Sequence, residues 1–420
     1  MQLSRLAESL VGSEIVRLGN EINDKIRQGS RIYNFTIGDF DSRIFPIPPE
    51  LEAGIHDAYR EGYTNYPPAE GILELRESVG KFIGERLGLQ YSPAEMLIAS
   101  GGRPLIYALY RSIADKGEKV IYAVPSWNNN HYVHFVEGQH VTIEAGPEQQ
   151  FMPTAAQILP LLGDATLLAL CSPLNPTGTT FSKSELQAIC DGVVEENLRR
   201  GDGRKKLFIM YDQMYWTLTY GSTRHYNPVS LRPELKEYTI FIDGISKAFA
   251  STGLRVGWAM GPALVIAKMK AILSHMGAWA PMAEQKATAR YLLRSADIDR
   301  YLFQFKSELE ERLTRIYEGF MEMKDDGLAV DAVAPQAAIY LAVRFNLVGQ
   351  KTPAGKTLEN QEAVTAYILG AAGLAVVPFY AFGAGRNSSW YRLSVGTCIK
   401  EEIPEMFDSL RRALGELRYA

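Results

Sequence analysis

The 420-residue sequence has only three cysteines, Cys171, Cys190 and Cys398, without metal-ligand spacing. That count rules out a disulfide framework, and a reducing cytoplasm is the compartment it suits. Basic charge is not in excess either. The 44 Lys and Arg stand against 48 Asp and Glu, a net of −4, so nothing global favours nucleic acid or an anionic membrane surface. No apolar run approaches the roughly 18 residues of a membrane-spanning helix. The first 29 residues are charged throughout and lack the apolar stretch and small-residue cleavage site of a signal peptide. Neither G-x-G-x-x-G at a strand end nor a Walker loop occurs, so the common nucleotide fingerprints are missing. Small molecules and other protein chains remain as partners.

What the sequence does have is apolar material, 46% of it, over a length that exceeds one core, so about two domains are expected. Residues 4–29 carry apolar positions at helical spacing and stop at Gly29, and RIYNFTIGDF reads as a strand feeding a glycine turn. The pattern over 50–88 is helical, interrupted by NYPPAEG at 65–71 and closed by Gly84 and Gly88. Then MLIAS, KVIYAVP, HVTIEA, TLLALCSP, KLFIMYD and YTIFIDG alternate with helical stretches. Near-continuous apolar strands of this kind predict a mainly parallel sheet covered on both faces, an α/β fold. A long amphipathic segment follows at about 296–326. The last hundred residues read as a smaller α+β domain, with strands at AIYLAV, LAVVP and WYRLSVG and a closing helix at 401–418. Because the first helix has no sheet of its own, the N-terminal segment is expected to join that domain. This gives a large domain at 46–298 and a small one from 1–45 with 299–420.

Several motifs sit where predicted strands end. SGGRP (100–104) opens a helix, and such a start offers N–H groups and a dipole to an anion, or simply a turn for close packing. Trp127 lies in VPSWNNN, as a core residue or a platform for a ring. Asn175 lies in CSPLNPTG, where the Asn175–Pro176 bond is a place for cis geometry. Asp212 closes LFIMYD with Tyr215 three positions on, and a buried carboxylate there needs a partner unless it caps a helix. Lys247 and Arg255 stand eight positions apart in FIDGISKAFASTGLRVGW. Each signal alone is weak, but all fall at the carboxyl edge of one open sheet, where ligands bind. A desolvated Lys247 would lose its proton readily and act as a nucleophile, while Arg255 stays charged and calls for an anion. A molecule with an aldehyde, a phosphate, a flat ring, a ring nitrogen and a phenolic oxygen meets all these groups: pyridoxal 5′-phosphate.

Over almost its whole length the sequence resembles the class I/II, fold-type I aminotransferases. NPTG, YDQMY, PSWNN and RLSVG occur in the family's order, and NYPPAEGILELRES, SGGRP and KAFASTGLRVGWAMGP read most like its bacterial-type aspartate aminotransferases. The resemblance implies a seven-stranded-type sheet between helices, a small domain built from both termini, and a homodimer with shared active sites. It implies Lys247 as the lysine that bonds to the coenzyme, Asp212 as partner of the ring nitrogen, Asn175 and Tyr215 as donors to the ring oxygen, and Trp127 as the stacking ring. Gly102, Arg103 and Arg255 would hold the phosphate, with Tyr66 reaching over from the partner subunit. Arg392 and the backbone of Gly38 would hold the substrate carboxylate. An L-amino acid and a 2-oxo acid would exchange an amino group by a ping-pong mechanism.

Two positions depart from the pattern. Many relatives carry a hydroxyl three residues before the lysine; Gly244 stands there, so Ser246 or Ser251 would have to compensate. HMGAWAPMAE (275–284) lacks the arginine that relatives use for a dicarboxylic substrate, leaving Arg103 or Arg111 for that task. The same residue set also suits a carbon–sulfur β-lyase or a decarboxylase, and, at a greater distance, a non-catalytic amino-acid-sensing domain.

Overall fold

The computed structural model describes residues 3–10, 12 and 14–418. After a two-residue strand β1 (Tyr33–Asn34), seven strands form one sheet: β2 (Met96–Ala99), β3 (Lys119–Val124), β4 (Gln139–Glu144), β5 (Ala165–Cys171), β6 (Phe208–Asp212), β7 (Thr239–Gly244) and β8 (Gly257–Met260). Their order is β2-β8-β7-β6-β5-β3-β4. β8 is antiparallel to both β2 and β7, and the other neighbours run parallel.

Successive residues of these strands enter opposite cores, as the period of two requires. Ile98, Tyr211 and Phe241 bury against the helices Leu73–Leu87, Lys183–Arg200 and Met282–Leu292. Leu97, Met210 and Ile242 bury against Gly102–Ile113 and Ala263–Met276. Sandwiched this way, the central strands are apolar on both faces, which is why they read as unbroken runs.

A second, antiparallel sheet comprises β9 (Val330–Ala332), β10 (Tyr340–Phe345), β12 (Val377–Pro378) and β13 (Trp390–Ser394), in the order β12-β13-β10-β9. Between β10 and β12, β11 (Leu374–Ala375) pairs in parallel with β1, Tyr33 opposite Leu374 and Asn34 opposite Ala375. The helix Ser295–Asp325 serves both units: Ile298 and Leu302 belong to the core of the large sheet, and Phe305, Leu309, Leu313 and Phe320 to that of the small one.

Three expectations differ from the observed chain. The helix expected over 4–29 forms as Arg5–Glu8 and Glu14–Arg27. The Ser9 hydroxyl turns back to the Arg5 carbonyl at 2.7 Å, and Gly12 follows outside the helix; residues 11 and 13 lie outside the described part. RIYNFTIGDF contributes only two paired residues, and the remainder is loop. The cis bond of the CSPLNPTG turn is Ser172–Pro173, and Asn175–Pro176 is trans. Paired backbone bonds between Leu174 and Thr179 and between Gly178 and Leu174, both 2.8 Å, close the turn around the trans bond.

Candidate active site

Parallel strands put their carboxyl ends on one edge, and β8, running the other way, puts its beginning there. Arg255, two residues before β8, therefore shares an edge with Asp212 at the end of β6 and Lys247 just after β7. These three line one cavity of about 540 Å³, with Gly38, Gly102, Arg103, Trp127, Asn175, Tyr215, Ser246 and Arg392. Of the candidate residues named from the sequence, Tyr66, Ser251 and Arg111 do not line it. Tyr66 is 84% exposed and lines a separate open concavity with Trp279, ring to ring at 5.2 Å.

The Lys247 amine donates to the Gly38 carbonyl at 2.6 Å and stands over the rings of Phe40 and Tyr215 at 5.4 and 5.8 Å. Desolvation pulls its pKa from 10.5 to about 8; Asp39 opposes the shift, and Arg392, Arg103 and Arg255 add to it. Asp212 is driven the other way, from 3.8 to about 6, by burial, against one hydrogen bond from the Met214 N–H at 3.0 Å. Its side chain accepts from no other protein donor among the described residues. Four cationic side chains thus face two carboxylates, Asp39 and Asp212, across the cavity, a balance suited to an anionic guest.

Arg255 is held by carbonyls: it donates to Thr252 at 2.7 Å and to Ser100 at 2.8 Å. Its own backbone is left-handed, φ +57°, a conformation that costs a non-glycine residue about 1–3 kcal/mol and tends to persist at functional positions. Room for the guanidinium comes from Gly101, where a Cβ would fall 2.3 Å from Arg255 Nη2. Gly101 also precedes the helix Gly102–Ile113, whose first-turn N–H groups have no carbonyl one turn back. Guanidinium and helix start therefore converge on one spot, and this is an anion cradle by construction.

Arg392, 1% exposed, lies in β13 opposite Ala342 and Val377. Its guanidinium lies over the rings of Tyr340 and Phe382, at 4.8 and 4.9 Å. It donates to the Thr36 carbonyl at 2.7 Å and to Asn175 Oδ1 at 3.3 Å, while Nε, buried, has no partner. A fixed planar fork with unspent donors is suited to a carboxylate.

The hydroxyl missing at position 244 has a steric reason. A Cβ on Gly244 would lie 2.8 Å from the Val256 carbonyl oxygen and 2.9 Å from Gly257 Cα, since β7 and β8 pair at these two glycines. Of the two possible substitutes, Ser246 lines the cavity, whereas Ser251 spends its hydroxyl on the Ile245 carbonyl at 2.8 Å. Of the two arginines considered for a second acidic group, Arg103 lines the cavity, 5.2 Å over the Trp127 ring, and Arg111 is exposed and donates to the Phe135 carbonyl.

Sequence reasoning did not select Asp39, Thr252, Tyr340, Phe382 or Ile15, all at or beside this cavity. Asp39 and Thr252, joined by a hydrogen bond of 2.5 Å, sat inside stretches already singled out, TIGDF and KAFASTGLRVGW. Tyr340 sat in a recognised strand with nothing to mark it from a core tyrosine, and Ile15 carried no signal.

A fold of this topology, with a desolvated lysine, a buried aspartate and an anion cradle on one sheet edge, defines a class of enzyme. The family described as aminotransferase class I and II matches residues 30–410, and the chain belongs to it. It is an aminotransferase of fold type I. Among curated relatives, the aspartate/prephenate aminotransferase of Thermus thermophilus is 28% identical over 418 residues, 98% of this chain and 99% of the relative. The aspartate aminotransferase of Geobacillus stearothermophilus is 28% identical over 402 residues, 95% of each chain. The solved aspartate aminotransferase of Rhizobium meliloti superposes with a TM-score of 0.90 at 26% identity, covering 100% of both chains. The motif-based resemblance to bacterial aspartate aminotransferases agrees with these.

Proposed function

We propose that this chain binds pyridoxal 5′-phosphate in the cavity around Lys247 and exchanges an amino group between an L-amino acid and a 2-oxo acid in two alternating half-reactions. One observation carries the reading: a lysine amine with its pKa near 8, a buried aspartate and the Arg255 cradle all line the same space. The residues suit the group on physical grounds. Arg255, the N–H groups of Gly102 and Arg103 and the Ser246 hydroxyl would hold the phosphate. Trp127 would stack on the ring, Asp212 would pair with its protonated nitrogen, and Asn175 and Tyr215 would donate to its phenolic oxygen. When bound, the coenzyme supplies a carbonyl that condenses with amines and a conjugated ring that accepts the electron pair released at the substrate Cα.

The chain's own residues then divide the work. With a pKa of about 8, a useful fraction of Lys247 is neutral near physiological pH; its amine would hold the coenzyme and, when free, would be the base for the substrate Cα proton. Arg392 holds the α-carboxylate with the Gly38 backbone beside it, which fixes the bond to be broken. Asp212, ionised against a cation, keeps that cation protonated. Arg103, which has no carbonyl or carboxylate hydrogen-bond partner among the described residues, is available for a second acidic group on the substrate.

The same reading assigns 46–298 to a large coenzyme-binding domain and 1–45 with 299–420 to a small one. It makes the enzyme a homodimer in which Tyr66 contributes to the partner's phosphate site, in keeping with its exposure away from its own cavity. Cys171, Cys190 and Cys398 are unpaired, which supports a cytoplasmic setting, and no helix among the described residues is long and apolar enough to cross a membrane.

The test is spectroscopic. Purified protein supplied with the coenzyme should gain a visible absorption band, bleached by an amino acid and restored by a 2-oxo acid, and borohydride should fix the coenzyme on Lys247. A Lys247→Ala protein that is still labelled by borohydride would overturn the assignment.

A further inference from the structure

Tyr340 is one of the largest fully buried side chains, 1% exposed, and it touches groups on both sides of the cavity. Its hydroxyl lies 2.5 Å from that of Tyr215. Its ring carries the Arg392 guanidinium, 4.8 Å above the centroid. The same hydroxyl is so close to Gly38 that a Cβ there would come within 2.9 Å of it. Its backbone is fixed as tightly: it pairs with Ser394 across β10 and β13, and its carbonyl presses on Gly178, where a Cβ would fall 2.2 Å away. Nothing in this packing requires a phenol, and a phenylalanine would fill the same space.

We propose that Tyr340 is a positioning residue that couples the two halves of the site, its hydroxyl aiming and strengthening the Tyr215 donor while its ring sets the plane of Arg392. The inference rests on the coenzyme reading above. If Tyr215 gives its proton to an acceptor in the cavity, its oxygen is left to accept, and Tyr340 is the donor within reach. A hydroxyl that accepts a hydrogen bond becomes a better donor, because chains of such bonds polarise one another. The Arg392 charge beneath the Tyr340 ring draws electron density from that phenol and sharpens its O–H further. The ring has a separate task. Arg392 is packed over two rings and hydrogen-bonded through Nη1 and Nη2, which limits where its free donors point, and removing one ring frees the guanidinium to tilt.

Hydroxyl and ring are separable by substitution. Tyr340→Phe keeps the ring and removes the hydroxyl; Tyr340→Leu removes both. In holoenzyme, the pH midpoint of the bound coenzyme's visible band is expected to move upward in Tyr340→Phe by roughly half a unit to one unit, the equivalent of one ordinary hydrogen bond, with the KM for the amino acid changed less than about twofold. Tyr340→Leu is expected to add a rise in KM of roughly tenfold or more, the loss of one ring from a desolvated guanidinium. Tyr215→Phe should shift the midpoint further, and adding Tyr340→Phe to it should shift it no more. A midpoint in Tyr340→Phe within about 0.2 of the unsubstituted enzyme, or equal effects of Tyr340→Phe with and without Tyr215, would overturn the proposal. Should Tyr340→Phe fail to fold, Tyr215→Phe against Tyr215→Phe with Tyr340→Leu poses the same question: a further midpoint shift refutes it and no shift supports it. Absence of any visible band in the unsubstituted protein would instead overturn the coenzyme reading itself.

Discussion

Replacing Arg392 by methionine should leave the ligand-free fold nearly as stable as before while disabling the enzyme. The guanidinium is 1% exposed and has no carboxylate within salt-bridge range among the described residues. Burying an uncompensated ion costs several kcal/mol. Against this stand two hydrogen bonds, to Thr36 and Asn175, at about 1.5–3 kcal/mol each for a charged donor. Two flanking rings add about 1–2 kcal/mol each. Cost and return are of the same size, and an unbranched side chain of similar length fills the space, so the change in unfolding free energy should stay within about 2 kcal/mol of zero. Substrate binding is another matter. A carboxylate held by two charge-assisted bonds loses about 3–6 kcal/mol with the fork, which is two to four orders of magnitude in kcat/KM. Urea unfolding of ligand-free protein, coenzyme titration and steady-state kinetics with an amino-acid panel would test this together. The reasoning fails if stability falls by more than about 4 kcal/mol or if kcat/KM stays within tenfold.

The Lys247 amine, with a folded pKa of about 8 against an ordinary 10.5, binds its proton less tightly than in the unfolded chain. Ligand-free protein should therefore gain stability as pH rises from 8 to 10.5, by up to roughly 3 kcal/mol, with the full cost present below pH 8. Lys247→Met should flatten that slope, and identical pH profiles of the urea midpoint for the two proteins would refute it. Asp212, at about 6 when alone in the cavity, should make coenzyme affinity fall as pH drops below 6, because the protonated acid cannot pair with a cation. Asp212→Asn should bind more weakly without that pH step in a fluorescence titration. Gly244→Ser should not restore a phosphate contact, because its Cβ meets backbone at 2.8 and 2.9 Å; loss of soluble protein or a lower melting temperature is expected. Ser246→Ala, by contrast, should fold normally and weaken coenzyme binding by about 10- to 100-fold, the value of a hydrogen bond to a charged group.

Much of the architecture was legible because β2, β3, β5, β6 and β7 are buried on both faces and so read as apolar runs, and because strand ends carried unusual residues such as Asp212 and Lys247; the edge strand β4, mostly exposed, showed instead as an alternating pattern. β8 escaped notice as a strand: GWAM is four residues long and begins with the glycine that must pack against Gly101. Composition gave that close approach no distinct mark. Asp39 and Thr252 were legible in principle, since both lie inside motifs, TIGDF and KAFASTGLRVGW, that carry other site residues. Tyr340 and Phe382 could not, because an aromatic that clamps a guanidinium looks, in one sequence, like an aromatic that fills a core. Ile15 reaches the cavity from a helix far away in the chain, and no local pattern encodes such a meeting.

The helix Ser295–Asp325 is seated in both hydrophobic cores at once, by Ile298 and Leu302 at one end and by residues from Phe305 onward at the other. It behaves as a shaft keyed at both ends. One residue added between those seats would rotate everything beyond it by about 100° and advance it by about 1.5 Å, turning the Leu309 and Leu313 keys out of their slots. Chain length can drift in the turn at 352–356, which a bridge between Lys351 and Thr357 closes, yet this shaft has a fixed phase, and the angle between the Lys247 and Arg392 sides of the cavity is inherited from it.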